Sequence, residues 1–546
     1  EEGWTCEDSP SACYKCGDGV VQGAEVCDAG PHNGCQECKA DCSGTVEIHV
    51  GSLTLNSTSD AESAAEYTVV DGDLIIASVQ DGEIALPNLE CVTGQVQIQD
   101  NSFETLDGLK TLVRVGTLLD ITGNPKLTQI DGLAQLSQLS SLTVHDNDAL
   151  IHLDGLAGLE SVILDIRIQD NATLENLGGL GNITAELDGV LHITHSDALV
   201  SLEGLEGITT AKELLITNNP LIQSLAGLGL TSVTSHIKIE SNASLLTLEG
   251  LEGLTKIQED LIIQENPVLQ HLDSLSNVSG TAGGKLTLSD CPLLENIAGL
   301  SDITKVLKNL HLAELPSLTS LAPFAGLKKV EGGLTVFLCD ALSDLSELES
   351  LESANGILVR FNATMTSVSL PNYGSMIGGD LWVQGNDSLI EIGGFEKLEE
   401  GGGTLLIDVN PKLTDLSAFG ALEQVGKSLT IMHNDLLTNL TEFQHLESVG
   451  ADLNIENNPE LTSLFGTATL EQVGGTLRIY DNPALVSLHG LESLETVGKS
   501  LYFKNNDALK EIDALANLTW LGGGITIDDH AELVDVNGLA GLKGIA

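Results

Sequence analysis

Residues 434–458, NDLLTNLTEFQHLESVGADLNIENN, hold one complete unit of the chain's architecture. Leu437, Leu440, Phe443, Leu446 and Val449 fall at every third residue; Gly450 follows, and Leu453 and Ile455 then alternate with polar neighbours. The closing alternation has the period of two that a strand with one buried face requires. The every-third run does not sustain a 3.6-residue helical stripe, and Gly, Asn and Pro punctuate the units. Short strands separated by tight corners are therefore expected.

Asn434 and Asn458 are two marks in a long column. It holds Asn101, Asn124, Asn147, Asn171, Ser196, Asn219, Asn242, Asn266, Cys291, Leu315, Cys339 and Asn362. It continues through Asn386, Asn410, Asn434, Asn458, Asn482, Asn506 and His530, nineteen marks at spacings of 23 to 25 residues. A single coil would leave its apolar side wet, so the coils must stack around a shared core. With neighbouring strands about 4.8 Å apart, nineteen coils predict an all-β solenoid, a rod on the order of 90 Å long. Stacked Asn side chains, each with a donor and an acceptor, would form a structural ladder at the corner, and Asn tolerates left-handed backbone there. Cys291 and Cys339 share this column two coils apart, roughly 9.6 Å by strand spacing. That exceeds the ~7 Å limit between Cα atoms for a disulfide. Both are expected to be free thiols, small buried replacements for Asn.

Composition narrows the function. The 546 residues carry 79 acidic and 23 basic side chains, a formal charge of −56, with 42% hydrophobic and only 3% aromatic content. A nucleic-acid backbone is excluded as a partner, because the Lys and Arg needed to displace counterions are scarce. No stretch reaches the ~18 apolar residues of a membrane span. The opening Glu1-Glu2-Gly3-Trp4 reads as an already processed N-terminus.

Cys6, Cys13, Cys16, Cys27, Cys35, Cys38 and Cys42 crowd the first 42 residues. Such density reads as a disulfide-stapled module, with Cys91 the nearest candidate for an eighth half-cystine. Cys13-x2-Cys16 with Cys35-x2-Cys38 also fits a four-cysteine zinc site, the alternative. The stretch Cys16-Gly-Asp-Gly-Val-Val-Gln-Gly-Ala-Glu-Val-Cys27-Asp28 resembles the small cysteine-rich repeat of secreted and surface proteins in myxobacteria and related bacteria. The resemblance covers about residues 13–42 and implies an exported protein.

The repeated units resemble the receptor L domain, the leucine-rich right-handed β-helix of insulin- and EGF-receptor ectodomains. Leu470-Glu-Gln-Val473-Gly-Gly-Thr-Leu477-Arg-Ile479-Tyr-Asp-Asn482-Pro carries the matching phrase. The likeness covers about residues 90–546. Family domains have only a handful of coils, so growth-factor recognition does not carry over. A Leu-x-Ile-x-x-Asn-x-x-Leu core also touches the leucine-rich-repeat consensus, which makes an α/β horseshoe the alternative fold. The expected organisation is a module at 1–42, an irregular capping segment with the first coils at 43–90, and the solenoid at 91–546.

Candidate chemistry is sparse. Glu399, Glu423, Glu447, Glu471 and Glu495 recur every 24 residues and would stack as a file of carboxylates roughly 4.8 Å apart. Either they splay into solvent or calcium bridges them through oxygen; no other cofactor is expected. Asp131, Asp154, Glu203, Glu249 and Asp273 form a looser file. His192-x-x-His195 is a metal-like pair without a third ligand, and no nucleophile elbow, phosphate loop or dinucleotide fingerprint occurs. Catalytic residues are therefore not expected. Nine Asn-x-Ser/Thr sequons occur, several of them (Asn171, Asn242, Asn362, Asn386) in the marker column, where a glycan would not fit.

The segment Gly538-Leu539-Ala-Gly-Leu542-Lys-Gly-Ile545-Ala546 stops where the repeat would begin another strand, so an open coil or a removed anchor is expected there. These features point to a secreted, non-enzymatic structural protein of a cell surface or extracellular filament that associates with itself head to tail. The alternative is an adhesion solenoid for a cell-surface protein or polysaccharide. A carbohydrate-active enzyme is the third reading.

Overall fold

The computed structural model describes residues 4–6, 13–15, 47–80, 82–465 and 469–545. It divides into two compact units, Glu1–Thr255 and Lys256–Ala546. Each is a parallel β-solenoid. The first contributes nine strands to its main sheet, from Leu53–Leu55 to Ile237–Glu240; the second contributes twelve, from Leu261–Gln264 to Ile525–Asp528. The main ladder thus starts at Leu53, inside the segment 43–90 expected to hold a cap and the first coils, which also holds the α-helix Thr58–Ala64 with Ser57 as its N-cap. No α/β horseshoe forms: this is the one α-helix among the described residues.

The unit at 434–458 shows why each piece forms. Leu453–Glu456 pairs in register with Leu429–Met432 on one side and Leu477–Tyr480 on the other. Leu453 and Ile455 are fully buried and their alternating neighbours face outward. A second, narrower sheet runs through Gln424–Val425, Ser448–Val449, Gln472–Val473 and Thr496–Val497. The glycine that follows each valine lets the coils close up there: a Cβ on Gly450 would lie 2.2 Å from the Gly426 carbonyl oxygen.

The every-third apolar run has a source the sequence reading did not use. In many coils the segment between the sheets is a 3₁₀ turn, such as Asp131–Leu133 and Asp154–Leu156. A 3₁₀ helix has three residues per turn, so side chains three apart align on one face. Ile130, Leu133 and Leu136 accordingly all point into the core. In the second unit Tyr373, Phe395, Phe419 and Phe443 occupy this row and form a spine of rings, with Phe419 stacked on Phe395 at 6.0 Å and on Phe443 at 5.3 Å.

The Asn column is a ladder, completely buried. Asn434 Nδ2 donates to the carbonyls of Ile407 and Met432, while its Oδ1 accepts from the backbone N–H and Nδ2 of Asn410. The same bonds run without a break from Asn362 to Asn506, and in the first unit from Asn101 to Asn171. The left-handed residue, however, is not the Asn but the one before it. Of the eighteen non-glycine residues with positive φ among the described residues, twelve directly precede an Asn of the column, including Phe361 and the β-branched Val409, and the other six, Leu338 among them, precede the residue that takes the Asn's place at the same corner. Left-handed backbone is costly for such side chains. Where an Asn follows, as Asn410 follows Val409, its side chain braces the corner with four hydrogen bonds; Glu314 before Leu315 and Leu338 before Cys339 keep the same backbone without an Asn.

Cys291 and Cys339 are free and fully buried in this column. The Cys339 thiol reaches the Leu312 and Phe337 carbonyls at 3.7 and 3.6 Å, the two acceptors an Asn amide would use there. Burial pushes the thiols of Cys291 and Cys339 up to about 11 and about 12. Neither offers a thiolate at neutral pH. Iodoacetamide should therefore leave both unmodified in the native chain and label them only after denaturation; mass spectrometry showing native labelling would contradict this packing.

Candidate binding surface

Because the strands of the second unit stack in register, outward side chains from successive coils line up. One column reads Phe337, Arg360, Gln384, Asp408, Met432, Glu456, Tyr480 and Lys504. The column beside it includes Leu358, Trp382, Leu406, Thr430, Asn454, Arg478 and Tyr502. Aromatic residues are rare in this chain, and half of the fourteen with described side chains are buried in the core. Of the other seven, five (Phe337, Phe361, Trp382, Tyr480 and Tyr502) lie on or at the rim of this one face.

Two clusters organise it. In the first, the Arg360 guanidinium lies 5.3 Å from the Phe361 ring centroid and 5.5 Å from that of Trp382, and Phe337 meets Phe361 edge to face at 5.9 Å. Phe361 is in the left-handed corner and 39% exposed. Its ring rests on Gly385, where a Cβ would come within 2.3 Å of it. A relay of polar bonds crosses the coils: Arg360 Nε donates to Gln384 Oε1 at 2.9 Å, and Gln384 Nε2 to Asp408 Oδ2 at 2.7 Å. Asp408 Oδ1 then meets His433 Nδ1 at 3.0 Å. The covered Trp382 Nε1–H finds no acceptor.

The second cluster surrounds a hollow of about 490 Å³ bounded by Glu456, Arg478, Tyr480, Asp481, Tyr502, Lys504 and Asn505. Tyr480 and Tyr502 meet edge to face at 6.1 Å. The hydrogen bond from Tyr480 to Glu456, aided by burial and the acidic surroundings, raises its phenol to about 12. Arg478 is held by Asp452 at 3.2 Å and Asn454 at 3.0 Å. Burial pushes the Asp452 carboxyl up, but the Thr476 N–H, Arg478 and Lys499 outweigh it and leave the carboxyl below its ordinary value. Lys504 pairs with Asp529 at 3.5 Å and Asp528 at 3.8 Å, and Asn505 donates to Asp481 at 2.6 Å. The side chains are braced before any ligand arrives.

The sites expected from sequence fall elsewhere. Glu399, Glu423, Glu447, Glu471 and Glu495 do stack, the backbone N–H of each of the last four donating to the preceding Glu carbonyl at 2.7 to 2.9 Å, and all five are exposed. Asp131, Asp154 and Asp273 open 3₁₀ turns, and Glu203 and Glu249 are exposed at equivalent turns. His192 and His195 part company: His192 meets Gln169, while His195 and His145 approach Asp170 at 3.7 and 3.2 Å. Among the described residues no group of three or more His, Cys, Asp or Glu is placed to hold a metal ion. Asn171, Asn242, Asn362 and Asn386 are buried, so their sequons are closed to glycans.

Cys91 is buried and disulfide-bonded. The backbones of Trp4–Cys6 and Cys13–Lys15 pair antiparallel with Cys6 opposite Cys13. The module's other cysteines, Cys16, Cys27, Cys35, Cys38 and Cys42, lie outside the described residues, as does most of the stretch resembling the cysteine-rich repeat.

Fold and surface together define a leucine-rich parallel β-solenoid with an aromatic and polar strip on its main sheet. No family model matches the chain. Among solved structures it is similar to a leucine-rich repeat protein of Leptospira interrogans, at 14% identity over 61% of this chain and 89% of that one, with a TM-score of 0.29. It is also similar to a leucine-rich repeat protein of Bacteroides thetaiotaomicron, at 13% identity over 85% of this chain and 52% of that one, with a TM-score of 0.33. The plant peptide hormone receptor RGFR1, solved in complex with RGF2, matches at 15% identity over 92% of this chain and 96% of that one, with a TM-score of 0.27. Among the described residues no helix is long and apolar enough to cross a membrane.

Proposed function

We propose that this protein is a non-enzymatic recognition and adhesion solenoid of the extracellular space or a cell surface, and that it holds its partner on the outward main-sheet face between Phe337 and Lys504. The gathering of five otherwise scarce aromatic rings on that face carries the reading. Stacked coils repeat a side-chain position every ~4.8 Å, which gives an extended partner evenly spaced contacts. Rings and arginines supply most of the energy in such surfaces. The crowded N-terminal cysteines support export. The partner class is a surface polysaccharide or a cell-surface protein.

The full chain, labelled and applied to arrays of extracellular polysaccharides and matrix proteins, should be retained by one class. The double variant Phe361→Ser/Trp382→Ala should weaken retention at least about tenfold, the loss expected for two aromatic contacts. Trp520→Ala, an exposed ring on the narrower sheet, should leave it intact. Uniform fibres under electron microscopy with no retention on any array would instead favour a filament subunit, and release of sugar products from a polysaccharide would favour an enzyme.

A further inference from the structure

We propose that the hollow at Tyr480 and Tyr502 is a subsite for a neutral saccharide residue within a longer glycan chain; the inference rests on reading this face as the binding surface and names what one part of it takes. Three observations carry it.

The first is charge. Glu456 and Asp481 are matched in number by Arg478 and Lys504. Each is already engaged: Glu456 by the Tyr480 phenol, Asp481 by Asn505, Arg478 by Asp452 and Asn454, and Lys504 by Asp528 and Asp529. In a chain of net charge −56 this hollow has no spare cation for a phosphate, sulfate or uronate. Each group still keeps hydrogen-bonding positions beyond these contacts, since a carboxylate has about four acceptor sites and a guanidinium five N–H donors.

The second is the pattern of donors and acceptors. Carboxylates, a guanidinium and an amide present paired oxygens and nitrogens in fixed planes. Adjacent hydroxyls on a sugar ring, each both donor and acceptor, complement such forks without bringing a charge. Glu456 is only 8% exposed, so its orientation is set by the protein before binding. Prior fixing of the polar groups lowers the ordering cost that a weak neutral ligand must overcome.

The third is the rings. Edge-to-face packing at 6.1 Å sets Tyr480 and Tyr502 at an interplanar angle of 78°. A phenol ring held this way can offer a face to the C–H side of a pyranose. An aliphatic ligand is poorly served, because charged and amide groups make up most of the wall. At about 490 Å³ the hollow lies within the ~300–1,000 Å³ range of ligand sites. Trp382 lies five coils from Tyr502 in the same column, roughly 24 Å by strand spacing, so a glycan running along the strip would meet both ring platforms.

Calorimetry on the full chain, with neutral β-glucan, mannan and galactan oligosaccharides of increasing length, tests this. At least one neutral series should bind, tighter with length and with affinity unchanged by salt up to about 0.5 M. Tyr502→Ala should weaken it about tenfold, while Tyr502→Phe, which keeps the ring, should retain most of it. Matched circular dichroism and thermal melts establish that the variants fold. Binding only of acidic saccharides or peptides, or neutral-glycan binding indifferent to Tyr502→Ala, overturns the subsite. If Phe361→Ser/Trp382→Ala abolishes partner binding while Tyr502→Ala does not, the face stands and the subsite falls. If no neutral oligosaccharide binds at about 10 mM, the subsite likewise falls.

Discussion

Replacing Asn434 by alanine should destabilise its part of the solenoid by about 3–5 kcal/mol. The change strips donors from the buried carbonyls of Ile407 and Met432 and an acceptor from the N–H and amide of Asn410. Each buried polar group left unpaired costs about 1–3 kcal/mol, and partial relaxation keeps the total below the plain sum. Asn434→Asp should be at least as damaging, since it removes the same donors and buries a charge. Asn434→Cys should be milder than alanine, because Cys339 shows a thiol reaching the two corresponding carbonyls. Repeat arrays need not unfold in one step, so amide hydrogen exchange resolved to residues 400–460 is the suitable readout. A loss under about 1 kcal/mol for Asn434→Ala, or equal damage from Cys and Ala, would show that the ladder contributes little to holding the corner.

Phe419→Ala should cost a similar amount, about 3–5 kcal/mol, for a different reason. Phe419 is fully buried between Phe395 and Phe443, its ring within 8° of parallel to both. Truncation opens a cavity in the middle of the ring spine, and the coils above and below are fixed by two sheets and cannot collapse into it. Phe419→Leu, the residue most common at this row in other coils, should cost markedly less. If urea or thermal denaturation places alanine and leucine at the same stability, the spine is not a packed unit and the core is looser than its geometry implies. Neither substitution touches the outward face, so partner binding by the folded chain should be unchanged in both.

The period-two phrase Leu453-Asn-Ile455 and the 24-residue recurrence of Asn were legible in the bare chain because a stacked coil must repeat its buried positions. The period of three was visible too, yet its cause was not. Every-third leucines mark 3₁₀ turns such as Asp154–Leu156, and a reading that weighed only strands against α-helices had no place for them. The left-handed residue escaped for a related reason: Leu338, Phe361 and Val409 have no local preference for positive φ, and the repeated corner of the stacked coils sets it there. The aromatic and polar strip was within reach, since Trp382, Arg478 and Tyr502 occupy the outward middle position of the strand phrases Leu-x-Val, Leu-x-Ile and Leu-x-Phe. Which of the scarce rings share one face depends on the register between coils, which the buried positions alone do not give.

What the sequence determined alone is the repeat, its length, and which side chains face inward, because those follow from hydrophobic periodicity along a single chain. What only the tertiary structure decided is which outward residues become neighbours. Arg360, Gln384, Asp408 and His433 lie about one coil apart in sequence but hydrogen-bond in succession in space. Register between coils turns a 24-residue separation into a contact of about 5 Å, and register is fixed by the backbone ladder and the buried Asn bonds.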